Sequence, residues 1–112
     1  MLPAAINEIQ AKLCRKMSHA IRLEIVHHLR HGPKNVKEIS QATGQPQNVI
    51  SRHLGVLRNG GVVIAHRDTQ DIVYQIANPK IVNICDLMRE LLIEEASHRA
   101  KLVEGFLDEH SE

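Results

Sequence analysis

The chain has 112 residues, 43% of them hydrophobic but only 2% aromatic (Tyr74 and Phe106, no tryptophan), so one small aliphatic domain over 1–112 is expected, and self-association is a natural way for it to bury more surface. The net charge of +1 conceals eleven bases against five acids up to residue 85, and three bases against eight acids from Asp86 onward; that is the direction expected if the first part meets a phosphate backbone. No run reaches the ~18 apolar residues of a membrane span, the opening MLPAAINEIQ lacks a secretion signal's pattern, and neither a Gly-rich phosphate loop nor a placeable acid–base pair points to an enzyme, so a cytoplasmic binding protein without a cofactor is expected.

Residues 3–17, PAAINEIQAKLCRKM, place Ile6, Ile9, Leu13 and Met17 at helical spacing. Ser18 reads as the N-cap of a second helix, HAIRLEIVHHLRH, stopped by Gly32–Pro33. Its Ile21, Ile25 and Leu29 repeat every four residues and are expected to face the core. A short third helix, VKEISQAT, follows Asn35 and ends at Gly44. QPQN supplies a turn and the first positions of a fourth helix, where Pro46 is tolerated. Val49, Ile50, Leu54 and Leu57 mark that helix's buried face, and Gly60–Gly61 its end. The period then changes: VVIAHR, the four-residue polar turn DTQD and IVYQIA read as a hairpin. Asn78–Pro79 opens a last helix expected over 79–108, roughly 45 Å long at 1.5 Å per residue. Its stripe of Ile81, Cys85, Met88, Leu92 and Ala96 is too long to be buried within so small a domain, which makes a second copy the expected partner.

The expected fold is mainly α with a small β-hairpin, a winged helix-turn-helix: a first helix over 1–17, the helix-turn-helix over 35–59, a wing over 62–77 and the long helix over 79–108. In this architecture the second helix of the helix-turn-helix enters the major groove of DNA. Gln47, Asn48, Ser51 and Arg52 lie outward near its start. Amides pair bidentately with adenine and arginine with guanine, while serine and a helix N-terminus suit phosphate. His53 and Arg58 are candidates for backbone contacts. The hairpin tip offers His66, Arg67, Thr69 and Gln70 to the adjacent groove; Asp68 and Asp71 oppose phosphate there, which leaves Arg67 as the main wing contact. A solvated polar face explains the same helix residues by itself, and the hairpin is what favours DNA.

RLEIVHHL, VKEISQATG, ISRHLGVLRNGGVV and HRDTQDIVYQI, in that order, resemble the ArsR/SmtB family of bacterial winged-helix repressors, most specifically over Ser51 to Val63. The resemblance covers residues 18–78 well and the flanking helices in position only. It implies a homodimer built through the first and last helices, double-stranded operator DNA as partner, and repression relieved by a small inducer. Family members often ligate metal through acid and histidine pairs on the last helix, or through cysteines at the start of the third; this chain has neither pattern. In thiol-based members two cysteines link and alter DNA affinity, which makes Cys14 and Cys85 the leading sensing candidates here. Arg15 and Lys16 give Cys14 the positive surroundings in which cysteines react, whereas Cys85 sits on the apolar stripe, where a cysteine is commonly a small hydrophobe. Three readings therefore stay open: an oxidant or reactive sulfur at Cys14 and Cys85, a transition metal on the face of Glu24, His27, His28 and His31 with its i,i+4 histidine pair, or inert cysteines and no inducer. A winged helix used only for protein association is the remote alternative.

Overall fold

The computed structural model describes residues 3–110. In chain order the elements are α1 (Pro3–Met17), α2 (Ala20–Leu29), α3 (Val36–Thr43), α4 (Gln47–Asn59), β1 (Val63–Asp68), β2 (Asp71–Ile76) and α5 (Lys80–His110). This is the expected mainly helical order with one antiparallel two-stranded hairpin. The chain divides into two compact units, one reaching to Val82 and one from Asn83 onward.

In the first unit Ile25, Val26, Ile39, Ile50, Leu54, Leu57, Val62 and Val63 are fully buried. At about 1.5–3 kcal/mol each relative to exposure, they dominate what holds α2, α3, α4 and the root of the hairpin together. No aromatic ring is among them, as the composition demanded. Val26 joins Ile25 and Leu29 inside, while Ile21 is only half-buried. Val49 is likewise half-buried, so the inner face of α4 is Ile50, Leu54 and Leu57 with one addition described below.

The ends of the helices show where local chemistry governs. Asn35 caps α3: its Oδ1 accepts from the Glu38 N–H at 2.8 Å, and Glu38 Oε1 accepts from the Asn35 N–H at 3.0 Å, a complete capping box. Gly44 closes α3 with φ 73°, a left-handed conformation that a β-carbon disfavours. The start of α2 differs from expectation. Ser18 is occupied in the tight link, its N–H donating to the Arg15 carbonyl at 3.2 Å, and the extended residue is His19, whose Nδ1 accepts from the Ile21 N–H at 3.1 Å. α2 also stops at Leu29, two residues short of the expected end, because Arg30 and His31 turn into Gly32 (φ 132°).

The hairpin turn is shorter than the sequence suggested. Asp68 and Asp71 are the last paired residues of the ladder, leaving only Thr69 and Gln70 as the loop. The base of the ribbon is held by a further antiparallel bridge, in which the Lys34 N–H donates to the Tyr74 carbonyl at 3.0 Å and the Tyr74 N–H to the Lys34 carbonyl at 2.8 Å.

α5 is a single helix, opened by Asn78, whose Oδ1 accepts from the Lys80 N–H at 2.9 Å. Ile81 is buried, but Ile84, Leu87, Met88, Leu91, Leu92 and Ile93 are exposed, and so are Leu102, Val103, Phe106 and Leu107. The apolar surface is broader than the expected single stripe. Ile6 and Ile9 on α1 are exposed as well. No helix is long and apolar enough to cross a membrane among the described residues.

Candidate nucleic-acid interface

The turn between α3 and α4 is fixed by side chains. The Ser40 hydroxyl donates to the Gln45 carbonyl, and Thr43 Oγ1 donates to the Ile39 carbonyl while accepting from the Gln45 N–H. Pro46 then starts α4 without any side-chain cap. The leading N–H groups of α4 therefore face solvent, an arrangement that attracts an anion.

Two rows of exposed residues run along α4. Gln47, Ser51 and Arg58 share one flank, and Asn48, Arg52 and Asn59 the other, by their spacing of four and seven residues. Gly55 lies between them, with open space where a β-carbon would stand. Asn59 was overlooked in the sequence, although its place seven residues after Arg52 put it on the same row.

His53 does not belong to this surface. It is 5% exposed and packs inward with Ile50 and Leu57, three and four residues away. Arg22 Nε donates to His53 Nδ1 at 3.1 Å, and the His19 ring lies against it with centroids 4.4 Å apart. Burial, and after it the positive groups of His19, Arg22 and Arg52, lower the pKa of His53 below its ordinary value of 6.5. A neutral, buried imidazole engaged by an arginine is unsuited to hold a phosphate, so the expected backbone contact at His53 is withdrawn.

The hairpin presents its residues on two faces. Val63, Ala65 and Arg67 pair with Ile76, Tyr74 and Ile72 on one, while Ile64, His66 and Asp68 pair with Gln75, Val73 and Asp71 on the other. His66 and Arg67 thus point to opposite sides of the ribbon, and one groove cannot take both. Arg67, Thr69 and Gln70 are exposed. Asp71 is engaged, its Oδ2 accepting from Asn35 Nδ2 at 2.6 Å and its Oδ1 from the Ile72 N–H at 2.9 Å. Asn35 therefore caps α3 and ties the wing tip to it, setting the wing's position relative to the helix-turn-helix.

The histidines of α2 do not converge. Glu24 lies 4.0 Å from His28, the His27 and His31 rings stand edge to face with centroids 6.3 Å apart, and among the described residues no three metal-ligating side chains come together. The face of Glu24, His27, His28 and His31 is not a preformed metal centre. Cys14 is exposed and Cys85 half-buried, and both are thiols rather than disulfides.

The sequence profile described as "bacterial regulatory protein, arsR family" matches residues 19–65. The chain is 38% identical over 85 residues to the transcriptional repressor PagR of Bacillus anthracis, covering 75% of this chain and 85% of that protein. It is 32% identical over 100 residues to an HTH-type transcriptional regulator of Mycobacterium tuberculosis, covering 88% of each. Among solved structures, it resembles the homodimeric winged helix-turn-helix DNA-binding domain Mb0332 of Mycobacterium bovis (TM-score 0.74, 28% identity, 81% of this chain and 84% of that one). The crystal structure of PagR is similar too (TM-score 0.68, 35% identity, 76% and 98%).

Proposed function

The chain belongs to the arsR family of bacterial regulatory proteins, and we propose that it is a homodimeric transcriptional repressor of the ArsR/SmtB type that grips operator DNA with α4 and the hairpin and lets go when its thiols are oxidised. The observation that carries DNA binding is the division of α4. One side is fixed in the core by Ile50, His53, Leu54 and Leu57, and the other presents Asn48, Ser51, Arg52 and Asn59 with nothing from the chain covering them. In this reading Arg52 reads guanine, Gln47 and Asn48 read adenine, and Ser51 with the uncapped start of α4 holds phosphate. Arg58, Arg67, Thr69 and Gln70 contact the backbone beside it.

Two observations support the dimer. The Mycobacterium bovis relative is homodimeric, and α1 and α5 carry large apolar side chains left exposed, up to 66% at Leu92. A two-fold pair of α4 helices reads a near-palindromic site. For release, oxidation of Cys14 and Cys85 removes two electrons and two protons to an oxidant such as a peroxide and leaves a disulfide, within or between subunits. The exposed thiol of Cys14 supports this reading.

The test is a gel-shift titration against the protein's own promoter over a range of salt. Several phosphate contacts predict steep loss of affinity as salt rises. Arg52→Ala should cost about 1–3 kcal/mol and relax the preference at one base position. Binding unchanged in Arg52→Ala would mean that α4 is not the reading helix.

A further inference from the structure

A cleft of about 530 Å³ opens beside α4, lined by Lys12, Arg15, Lys16, Arg22 and Val56. Four of its five lining residues are cations, and no carboxylate is among them. Lys12, Arg15 and Lys16 stand three and four residues apart on one face of α1, so the helix itself holds like charges side by side, which is unfavourable without a counter-charge. Among the described residues none of the four cations is in an ion pair. Nor are they loosely placed. Arg22 Nη1 donates to the carbonyls of Lys16 at 3.2 Å and Arg15 at 3.4 Å, and its Nε is held by His53. The stem of Lys16 runs so close to α4 that a β-carbon on Gly60 would come within 2.8 Å of its Cγ. Val56 lies four residues after Arg52 and three before Asn59, so the cleft borders the row Asn48, Arg52 and Asn59.

We propose that Lys12, Arg15, Lys16 and Arg22 form a phosphate-binding cradle. Its ligand is a phosphate group that meets three ammonium or guanidinium charges converging from α1 and the free edge of Arg22, in the geometry in which arginine forks and lysine point charges hold phosphate. The phosphate comes from the operator backbone flanking the α4 footprint or from a free pyrophosphate-bearing solute. The first source rests on the repressor reading above; the second does not.

The triple variant Lys12→Gln, Arg15→Gln, Lys16→Gln separates the sources, and circular dichroism checks that it folds. Arg22 is left intact because it also ties the fold. If the ligand is operator backbone, the slope of log affinity against log salt becomes shallower by about two to three in the variant, near 0.9 per phosphate lost. Inorganic pyrophosphate then leaves the melting temperature of both proteins alone. If the ligand is a free anion, pyrophosphate raises the melting temperature of wild type but not of the variant, and the salt slope is shared. An unchanged slope together with no wild-type response to pyrophosphate overturns the cradle. If wild type shows no salt-sensitive DNA binding at all, the repressor reading fails instead, and the pyrophosphate arm alone decides for or against the cradle.

Discussion

Arg22 Nε donates to His53 Nδ1 at 3.1 Å across 31 residues of sequence, while its Nη1 reaches two carbonyls at the end of α1. One guanidinium therefore fastens α1 to the inner side of α4 and fixes how that helix sits in the domain. Arg22→Ala removes three hydrogen bonds and leaves a buried ring nitrogen without its donor, which costs about 1–3 kcal/mol. Urea unfolding should show a lower midpoint at unchanged slope. Arg22→Lys should recover little, because an ammonium cannot reproduce the planar fork.

His53 makes stability depend on pH. Its folded pKa is lowered, first by burial and then by His19, Arg22 and Arg52, below the ordinary 6.5 that it regains on unfolding. Between those two values the unfolded chain binds a proton that the folded chain refuses, so stability rises with pH there. It is complete above about 6.5, falls as pH drops toward the lowered value, and loses nothing more beneath it. Unfolding midpoints taken across that window should decline toward acid in wild type. The decline should be smaller in His53→Gln, whose amide oxygen still accepts from Arg22 but does not titrate; equal declines would remove His53 as the cause.

His53 also shows what sequence reading captures and what it loses. Its spacing from Ile50 and Leu57 already placed it inward, but imidazole polarity outweighed spacing, and the partner that makes burial tolerable lies in α2. α3 was legible from Asn35 to Gly44 because its cap, capping box and left-handed stop are all local signals. The hairpin was legible, its turn less so: Asp68 and Asp71 look like turn residues, yet they form the last rung, with Asn35 satisfying Asp71 from a distant helix. The exposed rows of α4 follow from periodicity. The closeness of Lys12, Arg15 and Lys16 to that helix is set by tertiary packing alone.

Gly55 has no role in the fold that requires a missing side chain: a β-carbon there meets nothing within 4 Å. Interior glycine costs a helix about 0.5–1 kcal/mol relative to alanine, so Gly55→Ala should raise stability by roughly that amount. The added methyl would stand between the rows of Arg58 and Arg52, on the side proposed to meet DNA. Operator affinity should therefore fall while the unfolding midpoint rises. A variant that gains stability with wild-type affinity would show that α4 docks less closely than proposed.

Thr69 has φ 55° in a two-residue turn, the one positive φ at a non-glycine among the described residues. A β-branched side chain is strained there, and the first position of this kind of loop favours glycine. Thr69→Gly exchanges about 1–3 kcal/mol of local strain for the greater unfolded freedom of glycine, about 0.5–1 kcal/mol. The net expectation is a gain of up to about 1 kcal/mol, seen as a melting temperature higher by a few degrees. Because Thr69 is also a proposed backbone contact, the same variant should bind operator slightly less tightly through its lost hydroxyl.

Cys14 is exposed and Cys85 half-buried, so under reducing conditions iodoacetamide should modify Cys14 first. Serine replaces sulfur at nearly the same size, so Cys14→Ser and Cys85→Ser should bind operator like wild type while reduced. After peroxide, wild type should lose affinity by about 5–150-fold, the span of ordinary coupling energies between sites, and both serine variants should keep theirs. Identical behaviour of all three proteins, responsive or not, would remove the paired-thiol signal. A response that survives in Cys85→Ser but not in Cys14→Ser would assign the chemistry to the exposed thiol of α1 alone, beside the same arginine and lysine that line the cationic cleft. In that case oxidation and phosphate binding act on one stretch of α1 and should compete.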